Sequence, residues 1–204
     1  MLIKIDHLSY SCDETFDYKM FLNKGFELDF YEEQLVNIDC KKALLKYESQ
    51  YHSIYMLSKE GSVPIEITMY DCVDNIDTGM KLKDNVLEWE VRNVEITEEF
   101  LMALGARKGN DNQLTLKGFF DKTPLEIKLT KKVDIETQSF LDINGFSSLG
   151  LVVDNVNREL DKLQKNGYYV TGVNEIEVNK KRMEIGFVVG LNNEIVELIS
   201  VRKS

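Results

Sequence analysis

Apolar and polar residues alternate with period two in three short phrases, each centred on a glutamate: Pro64-Ile65-Glu66-Ile67, Pro124-Leu125-Glu126-Ile127 and Ile195-Val196-Glu197-Leu198. Such alternation turns the acid to the face opposite its branched neighbours, so each phrase predicts a strand carrying one inward carboxylate. Read backwards from each glutamate, a longer pattern repeats. In the last copy a buried strand over 149–153 precedes Asp154-Asn155. A helix follows with Val156, Leu160 and Leu163 on one side, and Gly167 stops it. Tyr168-Tyr169-Val170, a long strand over 182–189 and the Glu197 strand complete that copy. The middle copy has a strand over 86–91, a helix bearing Ile96, Phe100, Leu101 and Leu104, and a stop at Gly105. Residues 113–120 then pair back on the Glu126 strand, and the turn-like Gly109-Asn110-Asp111-Asn112 predicts a lost or shortened second strand. The first copy has a strand over 3–11, an N-cap at Asp13, a helix with Tyr18 and Phe21 inward, and a stop at Gly25. Strands over 26–31 and 52–59 and the Glu66 strand follow, with an insertion around 37–46 that fits no element. Broken periodicity at 73–83 and 132–144 predicts linkers.

The chain has 204 residues, 43% hydrophobic and 29% charged, enough for one large or two small packed domains. Its 35 acids exceed 25 Lys and Arg, for a formal charge of -10, which repels phosphate backbones and argues against nucleic acid as a partner. No apolar run approaches the ~20 residues of a membrane span. The opening Met1-Leu2-Ile3-Lys4-Ile5-Asp6 reads as an immediate strand rather than a secretory signal. Cys12, Cys40 and Cys72 are odd in number and form no CxxC, so free thiols in a cytoplasmic protein are expected.

Ile5-Asp6-His7-Leu8 on the opening strand, Lys24-Gly25-Phe26 after the helix and Ile65-Glu66-Ile67 on the last strand resemble the vicinal oxygen chelate superfamily of glyoxalases, bleomycin-resistance proteins and extradiol dioxygenases. The resemblance implies an α+β fold of repeated βαβββ modules that form half-barrels around a small-molecule cup, here three modules with the middle one shortened. It also implies a divalent ion held by His or Glu on each module's first strand and Glu on its last. The module order is similar to that of the streptococcal CppA family, which predicts a two-module domain over 1–131 (modules 1–72 and 84–131) and a third, C-terminal module over 145–204. That third module is expected either to complete a second half-barrel or to pair with its counterpart in a homodimer.

Aligned on the helix caps, the first-strand ligand position holds His7, Val86 and Ser148, while the last-strand acids are Glu66, Glu126 and Glu197. If the first two modules share a pocket, the metal set is His7, Glu66 and Glu126; if the first and third do, it is His7, Glu66 and Glu197 with Ser148 fourth. One imidazole and two carboxylates suit Mn, Fe(II), Ni or Zn, yet the set falls short of the four ligands of glyoxalase-like members. Neither histidine is accompanied by a nucleophile elbow or a phosphate loop, and His7 and Cys12 fall on opposite strand faces. Trp89, Tyr168 and Tyr169 are expected to pack in the core, and Lys41-Lys42 and Lys180-Lys181-Arg182 to be solvated. The favoured reading is a ligand-binding or CppA-like protein with a degenerate metal site, the alternative a metal-dependent lyase, isomerase or dioxygenase acting on vicinal oxygens.

Overall fold

A computed structural model describes residues 1–74, 79–110, 112–133 and 140–201. The first segment runs β1 (Leu2–Cys12), α1 (Lys19–Leu22), β2 (Glu27–Val36), α2 (Asp39–Lys42), β3 (Tyr51–Ser58) and β4 (Ile65–Met69). The middle one contains β5 (Met80–Lys83), β6 (Val86–Val91), α3 (Val94–Ala103), β7 (Arg107–Lys108), β8 (Gln113–Leu116) and β9 (Leu125–Lys131). The last has β10 (Gly145–Val153), α4 (Val156–Lys165), β11 (Tyr169–Val170), β12 (Asn174–Val178), β13 (Lys181–Val189) and β14 (Ile195–Val201).

Among the described residues the strands form two sheets. A nine-stranded sheet has the order β11-β13-β14-β10-β1-β4-β3-β2, with β12 also on β13. A five-stranded sheet has the order β5-β6-β9-β8-β7. In the large sheet β1 and β10 run antiparallel at the centre, and each is flanked by its own glutamate strand in parallel. This is the half-barrel arrangement of two βαβββ units around a local two-fold, and it makes the fold α+β.

The sheet therefore joins the first segment to the last, while the middle segment builds the second sheet. The reason lies in residues expected to be linker. Strand β5 pairs antiparallel with β6, filling the edge through which β6 would have met β1. The other expected linker falls partly on 134–139, outside the described residues. The last segment's β10 is paired with β1 of the same chain, so its central edge needs no second subunit.

Two helices form where the apolar spacing places them. Asn93 and Asn155 cap α3 and α4, each side chain accepting from the backbone N–H three residues on. Gly105 and Gly167, at φ +108° and +90°, take the left-handed conformation that ends them. The helix expected after Asp13 shrinks to one turn. Asp13 accepts from Thr15 N and Asp17 from Lys19 N, and these side-chain turns compete with helical bonding. On the helix side of the sheets, Leu8, Leu151, Leu160, Phe100, Leu116 and Trp89 belong to one continuous core spanning both sheets. Tyr168 packs against Phe100, whereas Tyr169 is exposed.

Candidate functional site

The cup side of the large sheet encloses a cavity of about 560 Å³. A β-bulge shapes its floor. Ile5 pairs with Leu151 and His7 with Gly150, which leaves Asp6 as an extra residue in β1. The bulge breaks the alternation, so Asp6 and His7 both line the cavity while Ile5 and Leu8 stay in the core. Gly150 makes room for the ring: a Cβ there would lie 2.5 Å from His7 Cε1 and 2.6 Å from Nε2.

His7, almost wholly buried, faces acids on three sides. Its Nδ1 lies 3.1 Å from Asp6 Oδ2, and its Nε2 lies 3.4 Å from Glu197 Oε2 and 3.9 Å from Glu66 Oε1. Glu66 and Glu197 reach the same spot because Ser9 pairs with Glu66 and Gly150 with Glu197 in matching parallel registers. Thr68 Oγ1 donates to Glu66 Oε1 at 3.0 Å and fixes that carboxylate. Burial works against charge on the imidazole, but the Glu66 charge, the Asp6 hydrogen bond and the Glu197 contact outweigh it and raise the His7 pKa well above the ordinary value. Asp6, opposed by its own burial, is held far below the carboxylate range by His7 and by Lys4 Nζ at 2.7 Å.

Of the expected ligand positions, the structure brings His7, Glu66 and Glu197 together. Glu126 lies in the five-stranded sheet, accepting from Thr115 Oγ1 and pairing with Val86. Ser148 is paired with Ser9 on β10, in the place that the local two-fold relates to His7.

Three groups at the cup were not singled out from sequence. Asp6 is hidden because strict alternation assigns it to the wrong face. Lys41, expected to be solvated, is the second of them. It sits on α2, in the insertion that fitted no element, and it lines the cavity within electrostatic reach of Glu66 and Glu197. Desolvation pulls its pKa down against those two acids, which pull it up. His52 on β3 lines the same cavity, and burial together with the Lys41 charge pushes its pKa down to about 2.

The insertion that brings Lys41 inward is clamped at both ends. Asn37 is fully buried, donating through Nδ2 to Ser49 O and through its backbone to Gln50 O. Asp142 accepts from the backbone N–H groups of Lys46 and Tyr47 at 2.7 Å each. Between the clamps Cys40 donates its N–H to Asn174 Oδ1, and Cys40 and Leu44 pack with Tyr70, Ile185 and Phe187. Opposite, the β12–β13 turn reaches β2, where Asn179 N donates to Glu32 Oε2 at 2.9 Å.

The resemblance implied a divalent ion on this floor, and the side chains do not fit one as they stand. The two-fold partner of His7 is a serine, and the residue across from it is glycine. A lysine, Lys41, lines the same cavity as the two glutamates. Among the described residues no group of three or more His, Cys, Asp or Glu is arranged to hold an ion.

The cup thus lies between two pseudo-symmetric halves of one sheet. Solved structures to which it is similar include methylmalonyl-CoA epimerase from Mycobacterium tuberculosis (TM-score 0.45, 11% identity, covering 100% of this chain and 91% of that one). Another is a glyoxalase I variant from Zea mays (TM-score 0.40, 14% identity, 98% and 68% covered). A third is a proposed dioxygenase from Bacillus subtilis (TM-score 0.41, 11% identity), which covers 100% of this chain, while this chain spans 64% of its length. No protein-family model and no curated protein sequence matches the chain.

Proposed function

We propose that this protein binds a small amphipathic molecule in its cup, without an ion as the anchoring group. The supporting observation is the cavity of about 560 Å³, a size suited to a small ligand, whose polar floor is balanced by its own side chains. His7 and Lys41 offset Glu66 and Glu197, so the floor offers hydrogen-bond donors and acceptors side by side. Phe30, Ile54, Met56, Val152, Ile176 and Met183 supply apolar walls. Such a ligand would place a polar group on the floor and its hydrocarbon along the walls. Cytoplasmic location belongs to the same reading.

The test is a thermal-shift screen of small amphipathic carboxylates, amines and zwitterions against the purified protein, repeated with Met56→Trp, which fills the cup. We expect at least one compound class to raise the melting temperature of the native protein, with the shift lost in the variant. Stoichiometric metal in the purified protein, lost in both His7→Ala and Glu66→Ala, would sink this reading in favour of the metal-dependent lyase, isomerase or dioxygenase.

A further inference from the structure

We propose that Lys41 is a built-in replacement for a metal ion: the insertion carries its side chain into the cavity that Glu66 and Glu197 line, where its ammonium supplies the positive charge a divalent cation would otherwise bring. This rests on the reading of the cup as ion-independent and supplies its cause.

Two carboxylates converging on a largely buried floor need compensating positive charge, because isolated buried carboxylates are strongly disfavoured. Here they converge by symmetry, since the two halves of the sheet hold Glu66 and Glu197 in the same register against β1 and β10. The partner that symmetry would add to His7 is missing, as Ser148 stands in its place. What the floor has instead comes from outside the symmetric repeat. The insertion of the first segment crosses to the last one, where the Cys40 N–H meets Asn174 and the Cys40 thiol points to the Ile185 carbonyl. That anchorage directs the next residue, Lys41, into the cavity. Its ammonium stands 5.6 Å from the centroid of the Tyr70 ring, a cation–π contact on a wholly buried aromatic. Glu66 and Glu197 line the same cavity. The last segment has no such insertion, so this cation enters from one side only.

A tethered cation and a bound ion compete for the same field. Neutralising Lys41 should therefore leave two carboxylates and the His7 imidazole with an affinity for a divalent cation that the native protein lacks. Mn2+ is the suitable probe, since it accepts oxygen and imidazole ligands and its free form gives a strong electron paramagnetic resonance signal. Titrating Mn2+ into the full chain, we expect weak uptake by the native protein. Lys41→Met should bind one equivalent at least tenfold more tightly. Lys41→Arg, which keeps the charge, should match the native protein, and adding Glu197→Gln to Lys41→Met should remove the gain.

A folded Lys41→Met that binds Mn2+ no better than the native protein overturns the proposal while leaving the ligand-binding cup intact. Tight, stoichiometric Mn2+ uptake by the native protein, abolished in His7→Ala, overturns both. Where Lys41→Met does not fold alone, Mn2+ in the refolding buffer should restore the native far-ultraviolet circular dichroism, and failure to do so counts against the idea.

Discussion

His7 and His52 open onto one cavity yet favour opposite protonation states, because their neighbours differ in sign. His7 looks at Asp6, Glu66 and Glu197, whereas His52 looks towards Lys41. Linkage converts this into a pH profile. The raised pKa of His7 gives stability that is complete below the unfolded value of 6.5 and lost as pH rises through the folded one. His52, depressed to about 2, gives stability present above 6.5 and lost as pH falls towards 2. Urea midpoints measured from pH 4.5 to 8.5 should therefore peak near pH 6.5 and decline on both sides. His7→Gln should flatten the alkaline limb and His52→Gln the acid one. A profile in which neither substitution changes its own limb would refute these assignments. The carboxylates that converge on His7 were legible from residue spacing, since each sits at the same register of a glutamate strand. Asp6 was not, because a bulge overrides period-two reading without leaving a glycine or proline to mark it. Lys41 was not either, since a charge in an irregular segment looks solvated until tertiary packing turns it inward.

At the level of elements, α3 and α4 show how far local signals carry. Both begin at an asparagine whose side chain accepts from the third residue on, and both end at a glycine with positive φ. Those signals are encoded within one turn of chain, so the sequence reveals them. Asn93→Ala and Asn155→Ala should each cost about 1 kcal/mol in chemical denaturation, with the substitution to Gly costing less. Equal losses for Ala and Gly would mean that the caps act through something other than the side-chain bond. The one-turn α1 marks the limit of such signals: Asp13 and Asp17 are good cap residues, but in succession they build turns and use up the backbone donors. Gly186 belongs to the same scale. A Cβ there would come within 2.7 Å of Leu160 Cδ1, so its lack of a side chain lets α4 lie close on β13.

Over the whole molecule, the five-stranded sheet is fastened to the nine-stranded one at several points that no local pattern announces. Asn85 accepts from Val63 N and donates to Pro124 O, linking the approaches to β4 and β9. Asp121 accepts from Ile5 N in the middle of β1 and from Gly118 N. Glu194, 3% exposed, accepts from Thr97 Oγ1 on α3. At Gly118 the approach is so close that a Cβ would fall 2.5 Å from the backbone of Ile3 and Lys4. Gly118→Ala should therefore destabilise by roughly 1–3 kcal/mol, since neither backbone can yield easily. Because the core is continuous across both sheets, Trp89 fluorescence and far-ultraviolet circular dichroism should report one unfolding midpoint. Separate midpoints would show that the sheets unfold independently. The order of strands and helices was readable along the chain, but the pairing of the segments was not, since it depends on which edge of β6 is already taken. That short ribbon β5 has a consequence for how such a chain could have grown. A strand with an open edge normally leaves a sticky rim that invites another strand, whereas here four residues act as a selvedge on that side of β6, and the smaller sheet ends there without recruiting a neighbour on that edge.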